Sequence, residues 1–420
     1  MAMPQTVRHI NERRLLDALS RRGALSRAEL GRELELTRST AGNLVTSLAE
    51  AGFVREGAVT DREMGETRVG RPGSLVELNA AHAVFLGAEI GVGRIRIVGI
   101  DLSAAVICQT ESRFDPDRCD PSAVADLLVA AVKRLRTWTA PAHVRGLGIA
   151  VAGLISPDGN VIRAPFLRWQ DVPLQSLIET RLSGFYRIMA ENDANAFALA
   201  ELSRAAEDPP TDAVYLLLDV GVGGGIVSNG ELVRGRHGSA GEIGHLPLVD
   251  HGGNGDVRPG STPRGSFESL IGTEALLADH RRRGGPAQGL PEFLAAVKQR
   301  QPTAEATVAL WAEHLGRGLA VLSAVLDPDR FVFGGPASVL LESCRAAVEG
   351  SLHARLLPSQ KLPSIALSQF GEDAPAIGAA LMLQQRFLAL DFDPAIDRPE
   401  LGRSPALGDS GRNRPESSFG

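Results

Sequence analysis

Apolar residues recur at helical spacing over residues 8–51, and this pattern predicts three short helices. The first helix ends at Gly23. The second begins with Ser26 and Glu29, which have the spacing of a capping box, where each side chain satisfies a free backbone N–H of the other residue. The apolar positions expected in the core of the first helix are Ile10, Leu15, Leu16 and Leu19.

The third predicted helix begins at Thr37, a good N-cap residue, and has two different faces. The face expected to be buried carries Ala41, Leu44, Val45, Leu48 and Ala49. The other face carries Arg38, Ser39, Thr40, Asn43, Thr46 and Ser47. Short hydrogen-bonding side chains and one arginine suit base edges and phosphates in a DNA major groove. Gly42 is a poor helix former, and a close backbone approach to DNA or to the second helix would explain it.

Two apolar segments after these helices, 53–54 and 75–78, are expected to pair as a two-stranded wing. The wing, the helix lengths and the caps favour a winged helix-turn-helix over residues 1–80; the alternative is a small helical docking module. Operator DNA is therefore the expected partner of this part of the chain. Arg71, which lies between the two wing segments, joins the candidate DNA contacts.

From Ala83 onward the pattern changes to strands. The predicted elements are strands at 84–90, 95–98, 105–107, 147–151 and 186–190 and helices at 126–138 and 174–182. The segment Glu89-Ile-Gly-Val-Gly93 is matched by Asp219-Val-Gly-Val-Gly223, since each follows an apolar strand and precedes another. This repeat predicts two similar α/β lobes, with a glycine hairpin from each pointing into the cleft between them. Asn229-Gly230 predicts a tight hairpin turn after the second repeat.

Composition limits the class of protein. The chain has 420 residues, of which 44% are hydrophobic and 22% charged, as in a soluble globular protein of two or three domains. Its net charge of −6 argues against a wholly basic nucleic-acid coat but permits a local basic patch. Three cysteines without a pairing pattern fit a reducing cytosol. The sequence carries no signal-peptide pattern and no apolar run near the ~18 residues of a membrane span, so a cytoplasmic protein without membrane contact is expected.

Two polar motifs carry candidate chemistry. Asn192 and Asp193 follow a predicted strand and open a helix, where a carboxylate can accept two hydroxyl hydrogen bonds and an amide can both donate and accept. Glu242 and His245 have the three-residue spacing that brings two side chains onto one helical face. The structural alternatives are an ordinary helix cap at Asp193 and a buried core histidine at His245.

These motifs and the stretch 219–245 resemble the ROK family, which holds sugar kinases and the sugar-responsive repressors descended from them. The resemblance runs from about residue 8 to residue 390. It implies the two-lobed arrangement of actin and hexokinase, with Asp193 in the position of a kinase's base. It also implies that sugar hydroxyls are bound by Asn192, Asp193, Glu242, His245 and Glu268. The segment Gly70-Arg-Pro72 resembles the wing of ROK repressors.

The predicted domains follow from the pattern and this resemblance. The first lobe is expected over residues 81–200, completed by a helix at 374–390 that crosses back to it as in the family. The second lobe is expected over 201–373. Its predicted helices are 268–283, 292–300 and 304–326. The tail, 391–420, is rich in Pro, Gly, Ser and Arg without periodicity, and we expect it to be disordered.

The chain departs from ROK kinases in both phosphate-binding loops. Kinases have Asp-x-Gly-Gly-Thr-Lys in the first loop, where this chain has Glu89-Ile-Gly-Val-Gly-Arg94. In the second loop, Gly-Thr-Gly becomes Asp219-Val-Gly221, which puts a carboxylate where phosphate oxygens would lie. Phosphoryl transfer depends on positioning and charge stabilisation, so kinase activity is not expected. The degenerate loop positions are Glu89, Gly91, Val92, Gly93, Asp219, Gly221 and Gly223.

The zinc loop of the family is also altered. Three family cysteines align with Pro259, Ser261 and Ser266, and neither proline nor a neutral hydroxyl replaces a thiolate in a tetrahedral zinc site. No structural zinc and no other cofactor are therefore expected. In the family's Ala-Pro-Asn-Leu-x-Trp segment this chain has Phe166 and Arg168, which we expect to reshape sugar specificity.

The resulting interpretation is a sugar-responsive repressor, in which a winged helix-turn-helix is joined to a degenerate kinase domain. Sugar would close the lobes and change the spacing of paired N-terminal domains over half-sites about one DNA turn apart, in a homodimer or homotetramer. One alternative is an active ATP-dependent sugar kinase with a regulatory head. Another is a DNA-binding protein whose partner is a phosphotransferase subunit, although such a protein would not need a full sugar pocket.

Overall fold

The head of the protein, residues 4–57 and 74–82, is a three-helix unit with a small sheet. The structure of the protein is a computed structural model, and it describes residues 4–57, 74–136, 144–182, 187–204, 210–249 and 263–389. The head contains α1 (Pro4–Arg22), β1 (Leu25–Ser26), α2 (Arg27–Glu33), α3 (Arg38–Glu50), β2 (Val54–Gly57) and β3 (Leu75–Leu78). The strand order is β1-β3-β2, and both pairings are antiparallel. The winged helix-turn-helix prediction is confirmed; Arg71 and its neighbours in the wing lie outside the described residues.

The predicted caps of the head helices are present. Ser26 accepts a hydrogen bond at Oγ from the backbone N–H of Glu29 at 3.2 Å. The carboxylate of Glu29 accepts the backbone N–H of Ser26 at 2.8 Å, which completes the capping box. Thr37 caps α3 by accepting the backbone N–H of Thr40 at 3.2 Å. These local bonds fix where α2 and α3 begin.

Two predicted core positions in the head are wrong. Ile10 is 51% exposed, because nine helical steps of about 100° place it on the opposite side of α1 from the buried Leu19. Ala49 is exposed at the margin of the apolar face of α3. The expected close approach of α2 to Gly42 is also not found, since a Cβ there would lie 3.7 Å from Nη1 of Arg27, an ordinary contact.

The first lobe follows the head and contains a five-stranded sheet in the order β11-β7-β4-β5-β6. Strands β4, β5 and β6 are antiparallel, whereas β7 and β11 run parallel to β4. Its elements are β4 (Val84–Gly91), β5 (Arg94–Asp101), β6 (Val106–Arg113), α4 (Pro121–Arg136), β7 (Val144–Val151), β8 (Leu154–Ile155), β9 (Val161–Ala164), β10 (Trp169–Val172), α5 (Leu174–Glu179), β11 (Ile188–Asn192) and α6 (Asp193–Arg204).

The second lobe has the same pattern, with the sheet order β14-β13-β12-β15-β16. Strands β12 to β14 are antiparallel, and β15 and β16 run parallel to β12. Its elements are β12 (Ala213–Leu218), β13 (Val222–Ser228), β14 (Glu231–Leu232), α7 (Phe267–Ile271), α8 (Thr273–Arg282), α9 (Leu290–Lys298), α10 (Pro302–Leu326), β15 (Arg330–Gly334), α11 (Leu341–His353) and β16 (Ser364–Leu367). The predicted internal repeat and the α/β fold class are therefore confirmed.

Two local predictions in the second lobe have different outcomes. The single helix predicted over 268–283 is wrong, because Gly272 adopts an extended conformation that separates α7 from α8. The turn at Asn229-Gly230 is confirmed, with φ of 53° and 75° at its two central residues. Both angles lie in the left-handed region that this hairpin turn requires.

The last helix, α12 (Ala374–Ala389), returns from the second sheet to the first. It packs on β4 and β7 where these strands have glycine, and a Cβ at Gly87 or Gly148 would overlap backbone oxygens of Ala376 or Ala379. It also packs along α6. One helix therefore contacts both the first sheet and the helix that begins at Asp193, as the prediction of a returning helix requires.

One apolar core continues from the head into the first lobe. The ring centroids of Phe53 in the head and Phe387 in α12 are 6.0 Å apart, and Phe387 lies 5.3 Å from Phe85 in β4. We call Phe53, Phe85 and Phe387 the aromatic seam. It gives a packed rather than a loose junction between the head and the first lobe. No helix among the described residues is long and apolar enough to cross a membrane.

Candidate functional site

A cavity of about 700 Å³ lies between the lobes, at the hairpin that each of them contributes. It brings together all five residues predicted to contact sugar: Asn192, Asp193, Glu242, His245 and Glu268. It is also lined by six of the seven predicted loop positions: Glu89, Gly91, Val92, Asp219, Gly221 and Gly223. Gly93 is not among its lining residues; it turns the first hairpin with a φ of 72°, and a Cβ there would lie 3.3 Å from the carbonyl oxygen of Phe114.

Asn192 and Asp193 lie where β11 passes into α6. Asn192 is held from three sides: it donates through Nδ2 to the carbonyl oxygen of Gly153 at 3.0 Å and to Oδ1 of Asp193 at 3.1 Å, and it accepts the backbone N–H of Asn195 at 3.0 Å. The helix-capping bond is thus made by Asn192, and the alternative of a cap at Asp193 is wrong. Oδ1 of Asp193 accepts the neighbouring N–H of Ala194 at 2.9 Å.

The carboxyl group of Asp193 has an altered acidity. Burial raises its pKa to about 8, and the nearby negative charge of Glu89 adds to the effect. The backbone N–H of Ala194 acts in the opposite direction. At neutral pH this carboxyl group is therefore mainly protonated and can donate one hydrogen bond as well as accept others.

Glu242 and His245 border the cavity from the second lobe. Residues 243–245 form a single 3-10 turn that Glu242 precedes, and Oε2 of Glu242 is 3.8 Å from Nε2 of His245. The His245 side chain is 54% exposed, so the alternative of a buried core histidine is wrong. Partial burial raises the pKa of Glu242; His245 lowers it, and the charge of Glu268 raises it.

Glu268 is fixed against the glycine-rich hairpin of the second lobe. Its Oε2 accepts the backbone N–H of Val222 at 2.9 Å. A Cβ on Gly221 would lie 2.6 Å from the same oxygen and 2.7 Å from Cε2 of Phe166, which reaches it from the first lobe. The hairpin therefore needs glycine at 221, because two side chains approach its backbone closely.

An ion pair connects the two hairpins. Nη2 of Arg94 lies 3.0 Å from Oδ2 of Asp219 and 3.3 Å from Oε1 of Glu89. Burial raises the pKa of Glu89, an effect that Arg94 and Arg96 partly offset. The sequence prediction treated Asp219 as an uncompensated carboxylate and missed this pairing. The available signal was the equivalence of the two hairpins, which brings Arg94 and Asp219 to the same end of the cleft.

A second arginine carries this charge network towards α12. Arg96 lies 3.1 Å from the carboxylate of Glu111, 2.7 Å from that of Glu372 and 3.2 Å from that of Asp373. It also lies 3.8 Å from Glu89. Since Glu372 and Asp373 immediately precede α12, the buried floor of the cavity is connected electrostatically to the start of that helix.

The two predicted specificity residues have different positions. Phe166 lines the cavity, whereas Arg168 points away from it and forms an ion pair with Asp117 at 3.0 Å. The backbone of Arg168 ends a 3-10 turn with a φ of 56°, which turns its side chain to the outside. The expectation that Arg168 shapes the pocket is therefore wrong. Arg163, on the neighbouring strand, lines the cavity and was not predicted.

The candidate DNA-binding side chains lie on the outer face of α3. Arg38, Ser39 and Asn43 are exposed and Thr40 is half-buried. Ser47 is less available than expected, since it donates to the buried Glu12 at 3.3 Å and accepts from Arg8 at 2.6 Å. This small network fastens the far end of α3 to α1. At the other end of the helix, the Thr37 hydroxyl lies 3.1 Å from that of Ser39 and 2.8 Å from that of Thr40.

The altered zinc loop is only partly within the described residues. Pro259 and Ser261 lie outside them, whereas Ser266 is buried and caps α7 by accepting the N–H of Ser269 at 3.3 Å. Within the described ranges, no three His, Cys, Asp or Glu side chains form a group that could hold a metal ion. The absence of zinc stays a prediction.

Family models match almost the whole of this architecture. The model of the ROK family matches residues 85–386, which include both lobes and the cavity between them. The model of the MarR family matches residues 9–62, which include most of α1, together with α2, α3 and the first wing strand β2. Phe53 of the aromatic seam lies within the MarR match and Phe85 at the start of the ROK match, and residues 63–84 separate the two matches.

Individual proteins similar to the chain include both regulators and kinases. The xylose repressor of Caldicellulosiruptor bescii is 26% identical over 81% of this chain and 88% of its own. A solved ROK family transcriptional regulator, a homologue of the E. coli MLC protein, shares the fold at 23% identity and a TM-score of 0.75, over 93% of this chain and 98% of that one.

A ROK family glucokinase from Streptomyces griseus, solved with glucose and AMPPNP, matches a smaller share of this chain. It is 26% identical with a TM-score of 0.60, over 71% of this chain and 99% of that one. The match with the regulator covers 93% of this chain and therefore extends into the head, whereas the match with the kinase covers 71%. With its cavity, repeated lobes and matching family model, the chain belongs to the ROK family.

Proposed function

We propose that the protein is a sugar-responsive DNA-binding transcriptional regulator, a repressor of carbohydrate genes. One observation carries the proposal: a cavity lined by five polar side chains that are expected to contact sugar lies in the same chain as a winged helix-turn-helix, and a continuous core joins them. The similarity to a xylose repressor over most of both chains supports the same function. The proposed domains are the head at 1–80, lobes at 81–200 and 201–373 with the returning helix 374–390, and a tail at 391–420.

The proposed sugar contacts follow from the chemistry of each group. Asn192 donates and accepts, Asp193 acts as a protonated carboxyl at neutral pH, and Glu268 accepts from hydroxyls. Glu242 and His245, at 3.8 Å from each other, bind the opposite edge of the sugar. A polyol presents donors and acceptors on all edges, so converging groups of both kinds suit it.

The proposed DNA contacts lie on the first turns of α3. Arg38 reads a base edge or a phosphate, and Ser39, Thr40 and Asn43 supply short donors and acceptors. Arg71 is proposed to contact DNA from the wing. Because operators are read as paired half-sites, we propose a homodimer or homotetramer in which the sugar changes the spacing of the heads.

We further propose that the lobes do not transfer phosphate. Phosphoryl transfer needs donors and cations aimed at a nucleotide's phosphates. In the first hairpin Val92 replaces a small residue, and the guanidinium of Arg94 is already shared by Glu89 and Asp219 at 3.3 and 3.0 Å. A nucleotide would have to break this pairing and then face two carboxylates.

The experiment is a titration of operator DNA, selected from random sequence, with and without D-xylose or D-glucose at fixed salt. A change in DNA affinity with sugar supports the proposal, and no sugar effect on DNA binding refutes it. In parallel, magnesium-ATP and the same sugars should yield no sugar phosphate above background. Turnover near about 1 per second, an ordinary kinase rate, would favour the alternative of an active kinase with a regulatory head.

A further inference from the structure

Phe166 is held rigidly at the edge of the cavity. It lies at the tip of the hairpin between β9 and β10, which is closed by pairing of Trp169 with Ala164. Its neighbours along the chain are anchored, since Leu167 and Trp169 are buried and the indole N–H of Trp169 donates to the carbonyl oxygen of Cys119 at 2.6 Å. The ring between these anchors stays half-buried and lines the cavity.

The same ring contacts the second lobe. A Cβ on Gly221 would lie 2.7 Å from Cε2 and 3.1 Å from Cζ of Phe166, so the ring edge rests on the backbone of the opposite hairpin. Phe166 therefore closes one side of the cavity and spans the cleft. A ligand in the cavity has this ring as a wall, with Asn192 and Asp193 among the polar groups around it.

An aromatic wall and a set of polar groups recognise different parts of a sugar. The hydroxyls of a pyranose lie on its edge when they are equatorial, and both faces then present axial C–H bonds. Such C–H bonds are attracted to the electron-rich face of an aromatic ring. An axial hydroxyl on the stacked face would instead direct a polar oxygen at the aromatic ring, where it finds no hydrogen-bond partner.

We propose that Phe166 stacks on the apolar face of the bound sugar and selects pyranoses whose ring hydroxyls are all equatorial, such as D-glucose and D-xylose. This specificity rests on the sugar-sensing function proposed above. It makes Phe166 the residue that determines the sugar class, while the polar groups hold the edge of the ring. D-mannose and D-galactose each have one axial hydroxyl, at C2 and C4, and both hydroxyls point to the same face of the sugar. Phe166 is proposed to stack on that face, so these two sugars are the disfavoured epimers.

The test is calorimetric titration of the full chain with D-glucose, D-xylose, D-mannose and D-galactose. Phe166→Leu keeps an apolar side chain of similar bulk but removes the aromatic face. It should weaken binding of the all-equatorial sugars by about tenfold and reduce their advantage over the axial epimers. Ile162→Ala is the matched control, because Ile162 is 37% exposed on the same hairpin and is not among the residues lining the cavity.

The outcomes separate the specificity from the function. Equal binding by Phe166→Leu and wild type, or equal affinity of wild type for D-mannose and D-glucose, overturns the proposal and leaves sugar sensing intact. Failure of wild type to bind any of the four sugars overturns both. Thermal unfolding of each variant shows whether a loss of binding comes from a loss of folding, and the ratio between epimers does not depend on the folded fraction.

Discussion

Nη2 of Arg94 lies 3.0 Å from Oδ2 of Asp219, although 125 positions separate the two residues along the chain. The guanidinium belongs to the hairpin of the first lobe and the carboxylate to the hairpin of the second. The same nitrogen lies 3.3 Å from Oε1 of Glu89, whose side chain is only 5% exposed. One cation therefore pairs with a buried carboxylate and also bridges the cleft, and these two roles can be separated by substitution.

Arg94→Gln should destabilise the protein mainly through Glu89. Without the guanidinium the buried carboxylate keeps only Arg96, at 3.8 Å, as a nearby cation. We expect a loss of about 1–3 kcal/mol in the free energy of unfolding, the usual cost of leaving a buried polar group unsatisfied. Adding Glu89→Gln should restore much of it. Urea denaturation of the single and double variants at neutral pH measures both effects.

Asp219→Asn should cost less than about 1 kcal/mol, because the Asp219 side chain is 31% exposed and solvent screens its pairing. Arg113→Gln removes another ion-paired arginine, 85% exposed, and serves as the charge-matched control for Arg94→Gln. An equal loss in Asp219→Asn and Arg94→Gln would contradict the view that Glu89 dominates the energetics. The bridge across the cleft would then be the stabilising contact.

Asp193→Asn should reduce sugar affinity in a pH-dependent way. Because the pKa of Asp193 is raised to about 8, the amide replaces a neutral carboxyl at lower pH and an ionised one above that value. A lost charge-assisted hydrogen bond costs about 1.5–3 kcal/mol, so affinity should fall by about ten- to a hundredfold above the pKa and much less below it. Sugar titrations across this range measure the ratio of wild-type to variant affinity.

Protein stability gives an independent check on the same group. The folded-state pKa of about 8 exceeds the ordinary value of 3.8, so the folded protein binds an extra proton between these two values. The Asp193 contribution to the free energy of unfolding therefore decreases as the pH rises through this window and levels off above it. Asp193→Asn should remove that part of the slope. Identical pH profiles of unfolding for wild type and variant would contradict a raised pKa.

Much of the fold could be predicted because short-range physics specified it. The capping box at Ser26 and the turn at Asn229-Gly230 are local hydrogen-bonding and φ requirements that few residues satisfy. The repeated lobes were evident from two similar hairpins after two apolar strands. The broken helix at Gly272 was not, since glycine inside a helical pattern only lowers helix stability and does not by itself end a helix.

The sequence predicted which residues line the site, but it did not predict their ion pairs or their pKa values. The motifs around Asn192 and Glu242 indicated which side chains meet in the cavity. The pairing of Arg94 with Asp219 and the raised pKa of Asp193 depend on distance and burial across the cleft, which no spacing along the chain encodes. Arg168 was misplaced for a different reason, since its left-handed backbone conformation, which the sequence does not reveal, turns the side chain away from the cavity.

Arg38→Ala should weaken operator binding and leave sugar binding unchanged. Arg38 is exposed at the first turn of α3, where side chains reach base edges in a winged helix-turn-helix. The expected loss is about 1–3 kcal/mol if the arginine contacts a guanine. Arg300→Ala, in the second lobe and 86% exposed, is the charge-matched control. Fluorescence titration with operator DNA at fixed salt measures the DNA affinity of both variants. Unchanged affinity of Arg38→Ala would mean that α3 does not read the operator through Arg38.

Phe387→Ala should loosen the head from the lobes. Phe387 is 8% exposed and lies 6.0 Å from Phe53 in the head and 5.3 Å from Phe85 in the first sheet. Truncating a buried phenylalanine typically costs about 3–5 kcal/mol, and here the resulting cavity lies at the junction itself. We expect faster hydrogen exchange of amides in α1 to α3, because the seam is where side chains of the two regions pack together. We also expect a smaller effect of sugar on DNA affinity, as coupling through this packing predicts.

The control for this last prediction is the same substitution at a buried phenylalanine far from the head. Phe293 is fully buried in the separate core of the second lobe, so Phe293→Ala should lower global stability by a similar amount. Its effect on exchange in the head should be no larger than that global loss implies, because the seam is intact. If both variants alter head exchange and the sugar response equally, the coupling does not pass through Phe387. If only Phe387→Ala removes the effect of sugar on DNA affinity, α12 is the element that links the cavity to the head. This helix packs along the helix that begins at Asp193, and it ends at the seam.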